Sequence, residues 1–276
     1  MYGAVIGDII GSTFEFREVK KKEIPLFAWG SDYTDDTILT IAVARALLQW
    51  KAEGGDLHRA MCSQMRELGR KYPSPLGSYG IRFSKWLHSS NPTPYNSCGN
   101  GSAMRVSPCG LMAGSLEEAL ELAKISAEVT HNHPEGIKGA QAVAAAIFLA
   151  RTGRTKEEIR EYIQANFYPL DRTLEEIRPD YSFDGTCQGS VPESIIAFLE
   201  SESFEDAIRN TISLGGDADT MGAITGSIAW SYYLARNNGK LMEDMRILME
   251  NAEEYLPREF RDTIEEFRQA CWNSGV

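Results

Sequence analysis

Two acidic clusters far apart in the chain carry nearly the same short pattern: Thr34, Asp35, Asp36 and Thr37 near the start, Asp217, Ala218, Asp219 and Thr220 near the end. Each stands directly before a long apolar stretch of helical character, residues 38–48 and 221–234. Four carboxylates and their threonine hydroxyls are hard oxygen donors, and such a set suits Mg²⁺ or Mn²⁺ better than zinc if the fold brings them together. Like charges crowded into one cleft repel, so the set either titrates partly neutral or recruits cations. Two divalent ions roughly 3.5–4 Å apart would supply a nucleophilic water and a clamp on substrate oxygens. The competing reading makes each cluster an ordinary helix N-terminus, because Thr and Asp are favoured caps and first-turn acids complement the helix dipole. The repetition of acids and threonine without a basic neighbour favours a binuclear metal site holding two Mg²⁺, with Mn²⁺ as an acceptable substitute.

Two further segments carry candidate binding groups. In YNSCGNGSAMRVSP, residues 95–108, Gly99, Asn100 and Gly101 are expected to take unusual backbone angles that point amides into one concavity suited to phosphate. A helix beginning at Ser102 would add its N-terminal donors; the alternative is a simple turn and cap. The segment is neither a P-loop nor a dinucleotide-binding fingerprint. Thr130, His131, Asn132, His133, Pro134 and Glu135 join two helices and hold two of the four histidines. With no third nitrogen or sulfur ligand nearby, they are expected to hydrogen-bond substrate rather than metal. His58 and His88 lie in charged, surface-like segments.

The elements that must position these residues read as helices. Apolar residues recur at helical spacing over 38–51, 57–71, 116–129, 135–151, 156–166, 192–200, 204–213, 220–236 and 258–272, with few alternating patterns. Ser115 with Glu118 and Thr155 with Glu158 read as capping boxes, and Ser203 precedes an acidic pair. Residues 135–151 and 220–236 look buried on all sides, with Gly222, Gly226 and Ala229 placed for close helix approach, whereas 156–166 and 258–272 have mixed-charge faces that shield the core. The fold class expected is all-α, a compact single-domain multi-helix orthogonal bundle over residues 1–276 with a binuclear metal cleft.

Composition narrows the setting. The 276 residues are 43% apolar and show no low-complexity linker. Acids outnumber bases 39 to 28, for a net charge of −11, which argues against direct nucleic-acid binding. Five cysteines without CxxC spacing argue against a disulfide framework or zinc cage and for a reducing compartment. No secretory signal or membrane span is read, so the expected location is cytoplasmic.

Taken together, GDIIGSTFEF, TDDT, CGNGSAMR, THNHPEG and SLGGDADT, in this order and over nearly the whole chain, resemble the ADP-ribosylglycohydrolase family. The resemblance implies a metal-dependent hydrolase that cleaves the glycosidic bond between ADP-ribose and an acceptor, through attack of a metal-bound water on the anomeric carbon. It implies that Thr34, Asp35 and Asp36 ligate one side of a magnesium pair and Asp217, Asp219 and Thr220 the other. It further implies that Ser97, Cys98, Gly99, Asn100 and Gly101, with Ser102 next, cradle the diphosphate and ribose, and that His131 binds ADP-ribose. Asp36, Asp35 and Glu15 are the catalytic candidates, with Asp8 supporting the metal ligands from behind. Tyr181 and Phe183 are candidates for the adenine seat, and residues 20–32 and 72–86 for the acceptor-side rim. The partner expected is an ADP-ribosylated protein or a small ADP-ribose conjugate.

Rival readings fit less well. A haloacid-dehalogenase-type phosphatase needs its nucleophilic aspartate after a hydrophobic strand, whereas Asp217 follows SLGG late in a helical chain. An isoprenoid synthase needs a further acid one turn beyond Asp35 and Asp36. A catalytically silent ADP-ribose-binding relative remains the non-enzymatic alternative.

Overall fold

The computed structural model describes residues 1–273. Among them every regular element is helical, and strand-like pairing is limited to two isolated bridges, Thr34 with Leu76 and Gly99 with Thr186. The chain begins with α1 (Tyr2–Gly11), crosses a long loop, and runs through α2 (Asp35–Glu53), α3 (Leu57–Lys71) and α4 (Ile81–His88). Two short pieces, α5 (Gly101–Met104) and α6 (Ser107–Met112), lead into α7 (Leu116–Glu128) and α8 (Pro134–Arg151). Then come α9 (Lys156–Asn166), α10 (Leu174–Ile177), α11 (Cys187–Leu199), α12 (Phe204–Ile212) and α13 (Ala218–Arg236). Last are α14 (Glu243–Glu253) and α15 (Arg258–Asn273).

The centre is built from α13, α8 and α1. Helix α13 is buried from Ala218 through Tyr233, and α8 presents an alanine-rich surface that its neighbours cover, as their all-round apolar sequences predict. Helix α1 was not expected, because its three glycines argue against a helix on propensity, at about 1 kcal/mol each relative to alanine. Packing overrides that cost. A β-carbon on Gly7 would lie 1.9 Å from the carbonyl oxygen of Gly222, and one on Gly3 would lie 2.1 Å from that of Gly226. The two backbones therefore touch, and dispersion contacts along that seam replace what side chains would have supplied. The close approach expected of Gly222 and Gly226 is thus made, with α1 as the partner.

Several boundaries differ from expectation. Helix α11 begins at Cys187, capped by Thr186, so Pro192 lies inside the helix instead of opening it. Helices α4 and α14 and the short α6 and α10 lack a long apolar period and were not anticipated, while the helix considered from Ser102 is the single turn α5, beginning at Gly101. At Ser115 the hydroxyl accepts from the Glu118 amide, but the Glu118 carboxylate accepts from the Gly114 amide, so the box is incomplete. Thr155 with Glu158 forms a full capping box. Of the peripheral helices, α9 buries Ile159 and Ile163, and α15 buries Phe260, Ile264 and Phe267 on its inner face.

Candidate metal centre

The acidic clusters meet because α2 and α13 both begin at the same place. Helix α2 starts at Asp35, three residues earlier than its apolar run, so Asp35 and Asp36 occupy its first turn, and Thr34 is its N-cap. Asp217 is the N-cap of α13 and follows Gly215 and Gly216, both in the left-handed region at φ 77° and 80°. At Gly216 a β-carbon would also collide with the Tyr181 ring at 2.7 Å. These two glycines turn the chain so that Asp217 faces the cleft, and the sequence signal for them was the GG immediately before the acid.

The plain-cap reading holds for Thr34, whose hydroxyl accepts from the Asp36 amide at 3.2 Å. It fails for Asp217, whose side chain makes no capping bond and instead accepts from Asn100 Nδ2 at 2.8 Å. Asp36 is 2% exposed. Its Oδ2 accepts from Thr34 Oγ1 at 3.2 Å and Thr220 Oγ1 at 3.4 Å, while its Oδ1 is buried with no hydrogen-bond partner. Leaving a carboxylate oxygen buried and unpaired is costly unless a proton or cation completes it.

Carboxylate oxygens of Asp8, Asp36 and Asp219 lie within 4.8 Å of one another, as do those of Glu15, Asp217 and Asp219. Asp219 is common to both groups, so two cation-sized arrangements share one acid. Asp35, expected among the ligands, is half-buried beside these groups and belongs to neither. Asp8 joins the first group, yet it is saturated: it accepts from the amides of Thr34 and Thr37, both at 3.0 Å, and from both threonine hydroxyls. It anchors the N-terminus of α2 and orients Thr34.

Among the described residues, no ion pair includes any of Asp8, Glu15, Asp35, Asp36, Asp217 or Asp219. Burial is the main cause that pushes all six upward. Asp8 rises to about 6 even though Thr37 and Thr34 donate to it. Glu15 rises to about 7 from burial and then from the charges of Asp217 and Asp8. Asp35, Asp36 and Asp219 are held well above the usual carboxylate range by burial and by their acidic neighbours. An all-oxygen donor set with an orphaned oxygen and no protein cation is the chemistry that accepts hard divalent ions.

The glycine-rich segment lies beside this centre but not in the form expected. Neither Gly99 nor Gly101 has a positive φ, and Asn100 is in the ordinary helical region. Space there is tight but not closed: a β-carbon at Gly101 would lie 3.2 Å from His131 Nε2, and one at Gly99 would lie 3.1 Å from Ser97 Oγ. The segment is pinned to the start of α11: the Asn100 amide donates to the Gly185 carbonyl and the Cys187 amide to the Cys98 carbonyl, both at 2.9 Å. Ser97 Oγ accepts from the Gly99 amide, whereas Ser102 is wholly buried and donates to the Gly136 carbonyl at 2.7 Å, a packing role.

His131 is 6% exposed, contacts Thr130 Oγ1 through Nδ1 at 2.7 Å, and is held well below the usual histidine range by burial and by Arg105 and Arg82. It is therefore a neutral ring facing the glycines. His133 caps α8, its Nδ1 accepting from the Glu135 amide. His58 and His88 are exposed. Phe183 is half exposed and stacks on Phe16 at 6.2 Å, while Tyr181 packs on Gly216 and donates to the Gly189 carbonyl. Sequence reasoning missed Asn100 as a partner of Asp217, and Lys20, whose ammonium donates to the carbonyls of Tyr181 and Leu214 just before the glycine turn.

The chain as a whole is similar to known proteins. The chain is 28% identical to the ADP-ribosyl-[dinitrogen reductase] glycohydrolase of Rhodospirillum rubrum, covering 84% of this chain and 83% of that one. It is 24% identical to the ADP-ribosylarginine hydrolase Tri1 of Pseudomonas putida, covering 84% and 69%. Among solved structures, an ADP-ribosylglycohydrolase-related protein complex superposes with a TM-score of 0.64 at 26% identity, covering 92% of this chain and 95% of that one. The ADP-ribosylglycohydrolase family profile matches residues 1–237, and the chain belongs to this family of hydrolytic enzymes.

Proposed function

We propose that this protein releases ADP-ribose from an ADP-ribosylated protein or small-molecule conjugate at a centre that holds two divalent cations, Mg²⁺ or Mn²⁺. The observation that carries the reading is the sharing of Asp219 between two carboxylate groups that no protein cation neutralises. Asp36, Asp219, Asp217 and Glu15 would hold the ions, with the hydroxyls of Thr34 and Thr220 beside them and Asp8 fixing the N-terminus of α2. Bound there, divalent cations supply Lewis acidity toward water and sugar hydroxyls.

The protein's own groups do the rest. Asn100 keeps Asp217 oriented, and the buried neutral His131 offers hydrogen bonding to ADP-ribose without a competing charge of its own. Glu15 is half-buried at the edge of the centre, and a carboxylate there is placed to accept a proton from attacking water. Asp36 is the less suitable base because it is locked among Thr34 and Thr220. No helix among the described residues is long and apolar enough to cross a membrane, and all five cysteines are free thiols, which suits a reducing compartment such as the cytoplasm.

The test is release of free ADP-ribose from arginine-linked, serine-linked and O-acetyl ADP-ribose, with Mg²⁺, with Mn²⁺ and with chelator. Cation-dependent release from at least one conjugate is expected. Binding of ADP-ribose with no release from any conjugate would overturn the reading and favour a silent relative.

A further inference from the structure

The family match ends at residue 237, yet α15, at residues 258–273, packs on α2 and touches both chain segments that enter the site. One segment is Tyr33, immediately before the N-cap Thr34. The other is Tyr72, from which the loop 73–80 departs. Phe260 of α15 sits between them, its ring centroid 5.5 Å from Tyr33 and 5.0 Å from Tyr72. One residue earlier, the Glu259 carboxylate accepts from the Tyr72 hydroxyl and pairs with Lys71 at 2.7 Å and Arg45 at 3.0 Å. Arg45 also donates to Thr263, tying the same face of α15 to α2.

The loop that Tyr72 anchors lies over the cleft. Tyr79 is buried and donates to the Tyr72 carbonyl at 2.9 Å, closing the loop at its base. Leu76 pairs with Thr34 in an isolated bridge. A β-carbon on Gly77 would lie 2.7 Å from Glu15 Oε2, so the loop backbone is the wall against which Glu15 rests. Gly77 and Ser78 are consecutive left-handed residues at φ 76° and 70°. For serine that conformation carries strain, and it persists only where surrounding contacts over-determine the backbone. Those contacts come from Tyr79 and Tyr72, and behind them from α15.

We propose that Glu259 and Phe260 of α15 are positioning residues that hold loop 73–80 against Glu15 and so set the wall of the cleft beside that carboxylate. This rests on the hydrolase reading above, but its structural part does not depend on turnover. Neither residue reaches the metal centre; Glu259 acts through Tyr72, and Phe260 through Tyr72 and Tyr33. Partial burial works against ionisation of Glu259, but bonds from Lys71, Tyr72 and Arg45 hold it down to about 2, so the clamp is charged throughout the physiological range.

The test compares wild type with Glu259→Ala, Phe260→Leu and Tyr72→Phe, the last removing only the hydroxyl. Hydrogen exchange across residues 73–80 is expected to speed up by about tenfold or more in Glu259→Ala, with α13 unchanged, because only the loop is released. In a conjugate-hydrolysis assay, kcat should fall by about tenfold, as displacement of a group near the chemistry does, while the affinity for free ADP-ribose stays constant. Tyr72→Phe should shift both readouts in the same direction by less. Unchanged loop exchange and unchanged kcat in Glu259→Ala and Phe260→Leu, with only a lower melting temperature, would overturn the proposal. If wild type hydrolyses no conjugate the hydrolase reading fails, and the exchange measurement still decides whether α15 holds the loop.

Discussion

At the residue scale, the centre is defined by which carboxylate oxygens already have partners. Asp8 has four donors and nothing left to give; Asp36 Oδ1 has none. Asp36→Asn should therefore remove a ligand and weaken Mn²⁺ binding, whereas Asp219→Asn should be worse because it strikes both groups. Calorimetric titration is expected to give two ions per chain in wild type and none at Asp219→Asn. Equal binding by wild type and Asp219→Asn would remove the shared-acid arrangement. Ion binding should also release protons. Glu15, raised to about 7, is partly protonated near neutrality when no cation is bound, and a cation bound there must displace that proton. Affinity should thus rise by about tenfold per pH unit for each proton released between pH 6 and 7, readable as a buffer-dependent binding enthalpy. The acids were legible in sequence because TDDT and DADT repeat before apolar runs. Their grouping was not. Which of Asp8, Asp35 and Glu15 joins the carboxylate groups depends on where α1 ends and how α2 begins, and that is a tertiary fact.

At the element scale, the α1 to α13 seam decides whether the centre exists, since α1 carries Asp8 and leads to Glu15 while α13 carries Asp219 and Thr220. Gly7→Ala would gain about 1 kcal/mol of helix propensity. Against this, the new methyl meets the Gly222 backbone at 1.9 Å, where nothing flexible can yield, and overpacking of this kind costs at the upper end of about 1–3 kcal/mol or more. Destabilisation wins. Gly80→Ala, whose methyl meets nothing within 4 Å, should change stability by less than about 1 kcal/mol, and denaturant melts of the two variants make the comparison. Equal stability for both would show that the helices can part without cost. The long helices were readable from their period and caps, as at Thr155 and Ser203. Helix α1 was not, because a helix buried on every side shows no polar face and its glycines mimic a loop; the recurrence of glycine at 3, 7 and 11 was the available signal. Pro192 misled for the opposite reason: proline suits a helix start, yet burial of α11 compensates for the lost amide.

At the scale of the whole molecule, six raised carboxylates inside a protein of net charge −11 make stability depend on pH and on cations together. The sign follows from proton counting. A carboxylate whose folded value is raised binds more protons folded than unfolded between its unfolded value, about 4, and its folded one. Its folded form is therefore favoured at low pH, and that advantage is lost as pH rises. For chelated protein the centre should lower stability progressively from about pH 4 through about 6 for Asp8 and about 7 for Glu15. A bound cation reverses this, because it favours the ionised folded centre. At 100 times its dissociation constant one ion adds about 2.7 kcal/mol, roughly 5–10 °C in melting temperature for a chain of this size. The gain should appear at pH 8 and shrink toward zero at pH 5, where protons compete for the same oxygens. Glu15→Gln should flatten the fall between pH 6 and 7 in chelator without abolishing the cation gain, since Asp36, Asp217 and Asp219 remain. Melting curves across pH 5–8, with chelator and with saturating Mn²⁺, measure all of this. A cation gain as large at pH 5 as at pH 8 would mean that the ions bind somewhere other than among these acids.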